Sequence, residues 1–297
     1  MLHQLLIAMR PKQWAKNIII YFGLVFSFNL FHLDLVLRVT IAFCLFCLLS
    51  SAIYLINDLR DLKSDQVHPR KRLRPLASGK LKPFHAQAAA AVLLAIALPA
   101  SFALNPGFTL NPGFGLSALA YVALMVAYSF GLKHVALVDV FVLAGGFVLR
   151  AMAGALAIGV PISPWLYLTT GLGALYLGFS KRRHELVLLN DSAGQHRAWL
   201  AEYTPELLDE MIAVITASIV MAYSLYTFFG QNLPKNGAMM VTIPFVLYGI
   251  FRYLYLIRLK DEGGSPEEIL LRDRPILLDV ILWGLVSVAI LYGFRGQ

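Results

Sequence analysis

The chain has 297 residues, 59% of them hydrophobic and 14% charged, with a mean hydropathy of +0.69. Soluble domains carry roughly 25% charged residues, so too few polar groups remain here to cover a water-facing surface, and a polytopic, all-α membrane protein is expected. The net charge of +8 then reads as basic loops beside a bilayer, which set topology and attract anionic lipid, rather than as a nucleic-acid interface.

The N-terminal segment 1–17 is short and interfacial. Its apolar stretch at 5–9 is too short for a signal-peptide core, and no small-residue cleavage site follows the next apolar run. A bilayer core of about 30 Å needs about 20 apolar residues per helix. Nine segments meet that length, at roughly 18–34, 37–56, 84–104, 114–131, 136–157, 164–180, 209–230, 238–257 and 275–294. Cys44 and Cys47 form a C-x-x-C inside the second run, where nothing polar supports redox or zinc work, so they read as packing. Asn105-Pro106-Gly107 and Asn111-Pro112-Gly113 punctuate spans three and four, and Gly159–Pro164 separates five and six. No low-complexity linker interrupts the chain, so 1–297 reads as one helical domain. Of the 25 Lys and Arg, 21 fall on one side of a nine-span arrangement. The positive-inside rule therefore places the N-terminus in the cytoplasm, together with the loops at about 57–83, 132–136, 181–208 and 258–274.

The second span ends in Asn57-Asp58-Leu59-Arg60-Asp61-Leu62-Lys63-Ser64-Asp65. On a continuous helix Asp58, Asp61 and Asp65 lie within about 60° of one another. Three carboxylates on one face repel, and hard divalent ions such as Mg²⁺ prefer such oxygen ligands, typically one or two carboxylates with substrate phosphates completing the shell. A solvated helix end balanced by Arg60 and Lys63 is the bland alternative. The run that follows, His68-Pro69-Arg70-Lys71-Arg72-Leu73-Arg74-Pro75, supplies cations beside those acids, the kit a diphosphate leaving group needs. Further along, Asp139 and Arg150 are about 20° apart in helical angle and about 16 Å apart along the axis. An arginine inside a span is by default a functional-site residue. Lys181 and Glu185 stand at i,i+4 in a basic run that also contains Arg182.

The N-D-x-x-D-x-x-x-D pattern with a basic loop after it, at the end of the second of nine helices, resembles the first aspartate motif of the UbiA superfamily of intramembrane prenyltransferases. The second aspartate motif usual in that superfamily is reduced here to Leu132-Lys133…Asp139. That departure is itself similar to a branch of the superfamily, the decaprenyl-phosphate phosphoribosyltransferases. The likeness extends to Arg10-Pro11-Lys12-Gln13-Trp14-x-Lys16-Asn17, Arg150-x-x-x-Gly154 and Lys181-Arg182-Arg183-x-Glu185-Leu186.

The resemblance implies a UbiA-type bundle in a bacterial plasma membrane, with its active site on the cytoplasmic side. It implies Mg²⁺-dependent transfer of 5-phosphoribose from phosphoribosyl diphosphate (PRPP) to a polyprenyl phosphate, a step feeding cell-envelope arabinan. Asp58, Asp61 and Asp65 would hold the metal, with Asn57 bracing them. Lys12, Lys16, Arg70, Arg72, Lys133, Arg150, Lys181 and Arg182 would share the phosphates, with Asp139 and Glu185 also in the substrate site, Asp139 binding there or orienting Lys133 or Arg150. The alternatives are a UbiA-type prenyltransferase using a prenyl diphosphate and an aromatic acceptor, and a non-catalytic lipid-binding or transport protein.

Overall fold

Prolines preceded by polar caps set the helix starts. The Asn111 side chain accepts from the Phe114 N–H, Thr204 from Leu207 and Asp273 from Ile276, each with a proline in the first two helical positions. In this computed structural model, residues 1–69, 71–105, 109–189, 202–230, 233–259, 269 and 272–294 are described. Among them the secondary structure is helical, with no strand. The helices are α1 (Leu2–Ala8), α2 (Phe22–Phe26), α3 (Leu33–Arg60), α4 (Leu62–Val67), α5 (Pro83–Phe102), α6 (Pro112–Phe130), α7 (Val138–Ile158), α8 (Pro164–Leu189), α9 (Pro205–Phe229), α10 (Ile243–Leu259) and α11 (Arg274–Gly293).

Seven helical stretches among the described residues are long and apolar enough to cross a membrane: α3, α5, α6, α7, α9, the stretch Ala238–Arg258, and α11. The expected spans 18–34 and 164–180 are not among them. The first runs as a 3₁₀ segment, Pro11–Tyr21, into the short α2, and Phe28 at φ 61° ends it. The second lies in α8, which is long enough at 26 residues but carries Thr169, Thr170 and several glycines before its basic end.

The chain divides into two compact units. The first comprises Met1–Leu24 and Asn29–Ile162, with Ile20, Leu24, Phe46, Leu49, Phe114 and Tyr121 at its core. The 3₁₀ segment lies directly on α7. A Cβ on Gly154 would collide with the Ile20 carbonyl, and one on Gly23 would stand 2.8 Å from the Ala155 nitrogen. Small residues at a helix contact permit that approach, the usual device where lipid rather than water surrounds the helices. α7 closes at Gly159, whose φ of 69° favours glycine. Beneath the basic loop a smaller cluster of Ala8, Leu55, Leu76, Leu81 and Ala86 is buried. Leu76 and Leu81 tie the 71–81 stretch down, and the Leu81 N–H donates to the Pro75 carbonyl at 2.9 Å.

The second unit comprises Val25–Phe28 and Ser163–Gln297. Its core includes Met239, Ile290 and Leu291, and Phe26 stacks near Tyr226 and Trp283. The Trp283 indole donates to the Tyr223 hydroxyl at 2.7 Å, which in turn bonds the Thr242 hydroxyl at 2.7 Å.

Candidate active site

Asn57 and Asp58 occupy the last full turn of α3, and the helix ends at Arg60. Asp61 (ψ 6°) breaks it, and α4 begins at Leu62. The single helix assumed from the spacing is therefore interrupted. The break parts the like charges, turning Asp61 toward one cation and leaving Asp58 and Asp65 on others.

Arg74 Nη1 lies 3.1 Å from Asp58 Oδ1 and 2.6 Å from Asp65 Oδ2, so one guanidinium nitrogen bridges two buried carboxylates. Arg10 donates to the same Asp58 oxygen, its guanidinium 4.9 Å above the Tyr54 ring. Arg10 holds φ 55°, a left-handed conformation that costs a non-glycine residue energy and persists where its surroundings fix it. The Lys133 ammonium donates to Asp61 Oδ1 and lies 3.4 Å from Asn57 Oδ1, while Asn57 Nδ2 donates to Asp61 Oδ2 at 3.2 Å. Three acids, Asn57 and three cations from four stretches of chain thus form one network.

Of the other expected residues, Lys12 and Arg72 are exposed and Lys16 is half-buried on the 3₁₀ segment. Arg70 lies outside the described residues. Asp139 is fully buried in the first turn of α7. Arg150, 5% exposed, is deep in the first unit. It donates to Asn17 Oδ1 at 2.8 Å, to the Tyr121 hydroxyl at 2.7 Å and to the Gly146 carbonyl at 3.0 Å, with its guanidinium 4.5 Å from the Tyr121 ring. Its partners are neutral, and none is an acid of the network. Lys181, Arg182 and Glu185 belong to the second unit, where Arg182 Nη1 pairs with Glu185 at 2.5 Å.

Arg10 and Arg74 were not singled out by the sequence reading, although both stand inside its motifs. Each immediately precedes a proline, a position disfavoured in helical backbone, and so projects from a turn.

Among the described residues no three His, Cys, Asp or Glu stand close enough to hold one metal ion. A Mg²⁺ needing one or two carboxylates plus phosphates nevertheless fits. The place between Asp58 and Asp65 already accommodates a cation, the Arg74 nitrogen, within hydrogen-bond distance of both. Arg74 is 26% exposed and sits on a loop, free of any helix that would hold it rigidly.

Known proteins share this architecture. The chain is 34% identical to the decaprenyl-phosphate phosphoribosyltransferase of Corynebacterium glutamicum, over 96% of this chain and 86% of that protein. It is 32% identical to the enzyme of the same name from Mycolicibacterium smegmatis, over 96% and 92%. The solved structure of a UbiA homologue from Archaeoglobus fulgidus, bound to GPP and Mg²⁺, superposes with a TM-score of 0.71 at 20% identity, covering 97% of this chain and 99% of that one. The profile of the UbiA prenyltransferase family matches residues 17–267. The protein is a multi-pass membrane transferase, and the chain belongs to the UbiA prenyltransferase family.

Proposed function

We propose that the protein transfers 5-phosphoribose from PRPP to a polyprenyl phosphate of decaprenyl type, releasing diphosphate, in a step that supplies arabinan precursors. The observation that carries this reading is near-full-length likeness to phosphoribosyltransferases combined with a network in which every acid is matched by a cation. A prenyl diphosphate presents one charged group and an apolar tail. PRPP and a lipid phosphate present three phosphate-bearing groups, and a cation-rich site suits them better.

Asp58 and Asp65 would hold Mg²⁺, with Asp61 beside them on Lys133 across the helix break. The bound ion supplies charge stabilisation for the departing diphosphate. Arg10, Arg74 and Lys133, already gathered at the acids, exchange carboxylate partners for phosphate oxygens as the donor enters, keeping charge balanced at each stage. The C1–O bond then breaks with its electron pair leaving on diphosphate. An anionic oxygen of the lipid phosphate forms the new bond to C1, so no strong general base is needed. Lys12, Lys16, Arg70 and Arg72 lie in the same two stretches as Arg10 and Arg74 and guide the phosphates in. Lys181, Arg182 and Glu185, in the second unit, are substrate-binding residues in this reading. Asp139, buried at the start of α7, orients the Lys133 turn, and Arg150 serves the site through Asn17 by fixing the segment that begins at Arg10.

The stretches 18–34 and 164–180 also cross the bilayer in this reading, giving nine spans. The network then lies on the cytoplasmic face of a bacterial plasma membrane, a placement that the distribution of basic residues supports. The test is purified protein with Mg²⁺ and a short polyprenyl phosphate, offered radiolabelled PRPP or a prenyl diphosphate. Labelled lipid from PRPP supports the proposal; product from the prenyl diphosphate alone refutes it.

A further inference from the structure

Within the second unit, α9 and α10 leave between them a groove of about 900 Å³ that the chemistry above does not use. α9 lines it from Ile212 to Ser224 and α10 from Leu247 to Arg258. At 1.5 Å per residue these rows run about 16–18 Å. One leaflet of a bilayer core is about 15 Å deep. The walls are almost wholly apolar, and the one charged residue, Arg258, stands at one end.

At that end Arg258 belongs to a small ion cluster on Asp209. Arg183 makes two hydrogen bonds to the Asp209 carboxylate, at 2.7 and 3.3 Å, and Arg258 makes a third at 3.1 Å. Two guanidiniums therefore share one carboxylate, and Arg258 remains 48% exposed. Its bond to Asp209 also fixes direction, since it sets Arg258 beside the N-terminal turns of α9, at the end of both candidate spans where headgroups lie.

We propose that this groove binds one anionic phospholipid of the surrounding bilayer, its acyl chain between α9 and α10 and its phosphate on Arg258. The length of one leaflet and the placement of charge at one end both match such a molecule. A decaprenyl tail is much longer than a leaflet is deep and fits the groove less well. The proposal rests on α9 and α10 spanning the membrane, and not on the identity of the reaction.

The test compares phosphatidylglycerol with phosphatidylcholine on the delipidated full-length protein, by native mass spectrometry and by thermal melting. The wild type should retain phosphatidylglycerol preferentially, by about tenfold if the phosphate gains one charge-assisted bond, and should melt higher with it. Arg258→Gln should abolish the preference without unfolding the protein, because Arg183 still satisfies Asp209. Ala217→Trp, which fills the groove, should weaken retention of both lipids. Equal retention of the two lipids by the wild type, or an undiminished preference in Arg258→Gln, would overturn the proposal. So would displacement of phosphatidylglycerol by equimolar polyprenyl phosphate, which assigns the groove to the acceptor. Loss of an oligomer in Ala217→Trp would likewise overturn it, assigning the groove to a second copy of the chain.

Discussion

At Asp58 and Asp65 the balance of charge is local and tight. Both carboxylates are 2% exposed, and Arg74 is bonded to each. Breaking a buried ion pair from one side leaves an uncompensated charge and typically costs about 3–5 kcal/mol. Here Arg10 still neutralises Asp58, but the buried Asp65 loses its Arg74 partner, so Arg74→Gln should cost about 3–5 kcal/mol. The loss should appear as a lower melting temperature without Mg²⁺, and added Mg²⁺ should restore the variant by more than it raises the wild type. Equal Mg²⁺ response in both proteins would remove the metal from this place. Asp58→Asn leaves Arg10 short of a carboxylate and Asp61→Asn does the same to Lys133, so each should fold with a lowered melting temperature, while turnover falls by about 10²–10³. Retention of more than roughly a tenth of the rate in either variant contradicts their assigned roles.

The elements owe their boundaries to signals visible in the sequence where those signals are polar or proline-rich. Asn111-Pro112, Thr204-Pro205 and Asp273-Arg274-Pro275 each begin a helix, and Gly159 ends one. The break at Asp61 was not legible, because Leu59 to Val67 holds no glycine or proline to mark it and the cations that pair with its acids lie on other stretches. The 3₁₀ character of Pro11–Tyr21 was hidden for a similar reason, since its apolar content matches a helix while its path is dictated by α7. Gly154 is the residue that permits that path. Gly154→Ala should lower the melting temperature in detergent, by about 1–3 kcal/mol in stability as overpacking commonly does, and Gly154→Val by more. An unchanged melting temperature in Gly154→Ala would show that the segment does not sit so close. The acids of the site could be read directly, whereas Arg10 and Arg74 could be chosen from among their basic neighbours only once the fold had paired them.

At the scale of the whole molecule, composition established a membrane protein, and the asymmetry of its basic residues sets the expected orientation. In a background lacking Cys44 and Cys47, Ser64→Cys should resist an impermeant thiol reagent in intact cells, because it lies beside the acid network on the expected cytoplasmic face. Asn236→Cys, exposed between the last two long apolar stretches before α11, should label readily. The reverse pattern would invert the topology and put the substrates on the wrong side. The reaction itself is tested most directly by donor choice. With Mg²⁺ and polyprenyl phosphate present, the account predicts that PRPP yields a phosphoribosylated lipid plus diphosphate, and that a prenyl diphosphate with an aromatic acceptor yields nothing. Lys181→Ala should then raise KM for PRPP about tenfold, as expected for one charge-assisted bond. Turnover of the prenyl diphosphate with no reaction of PRPP would contradict it.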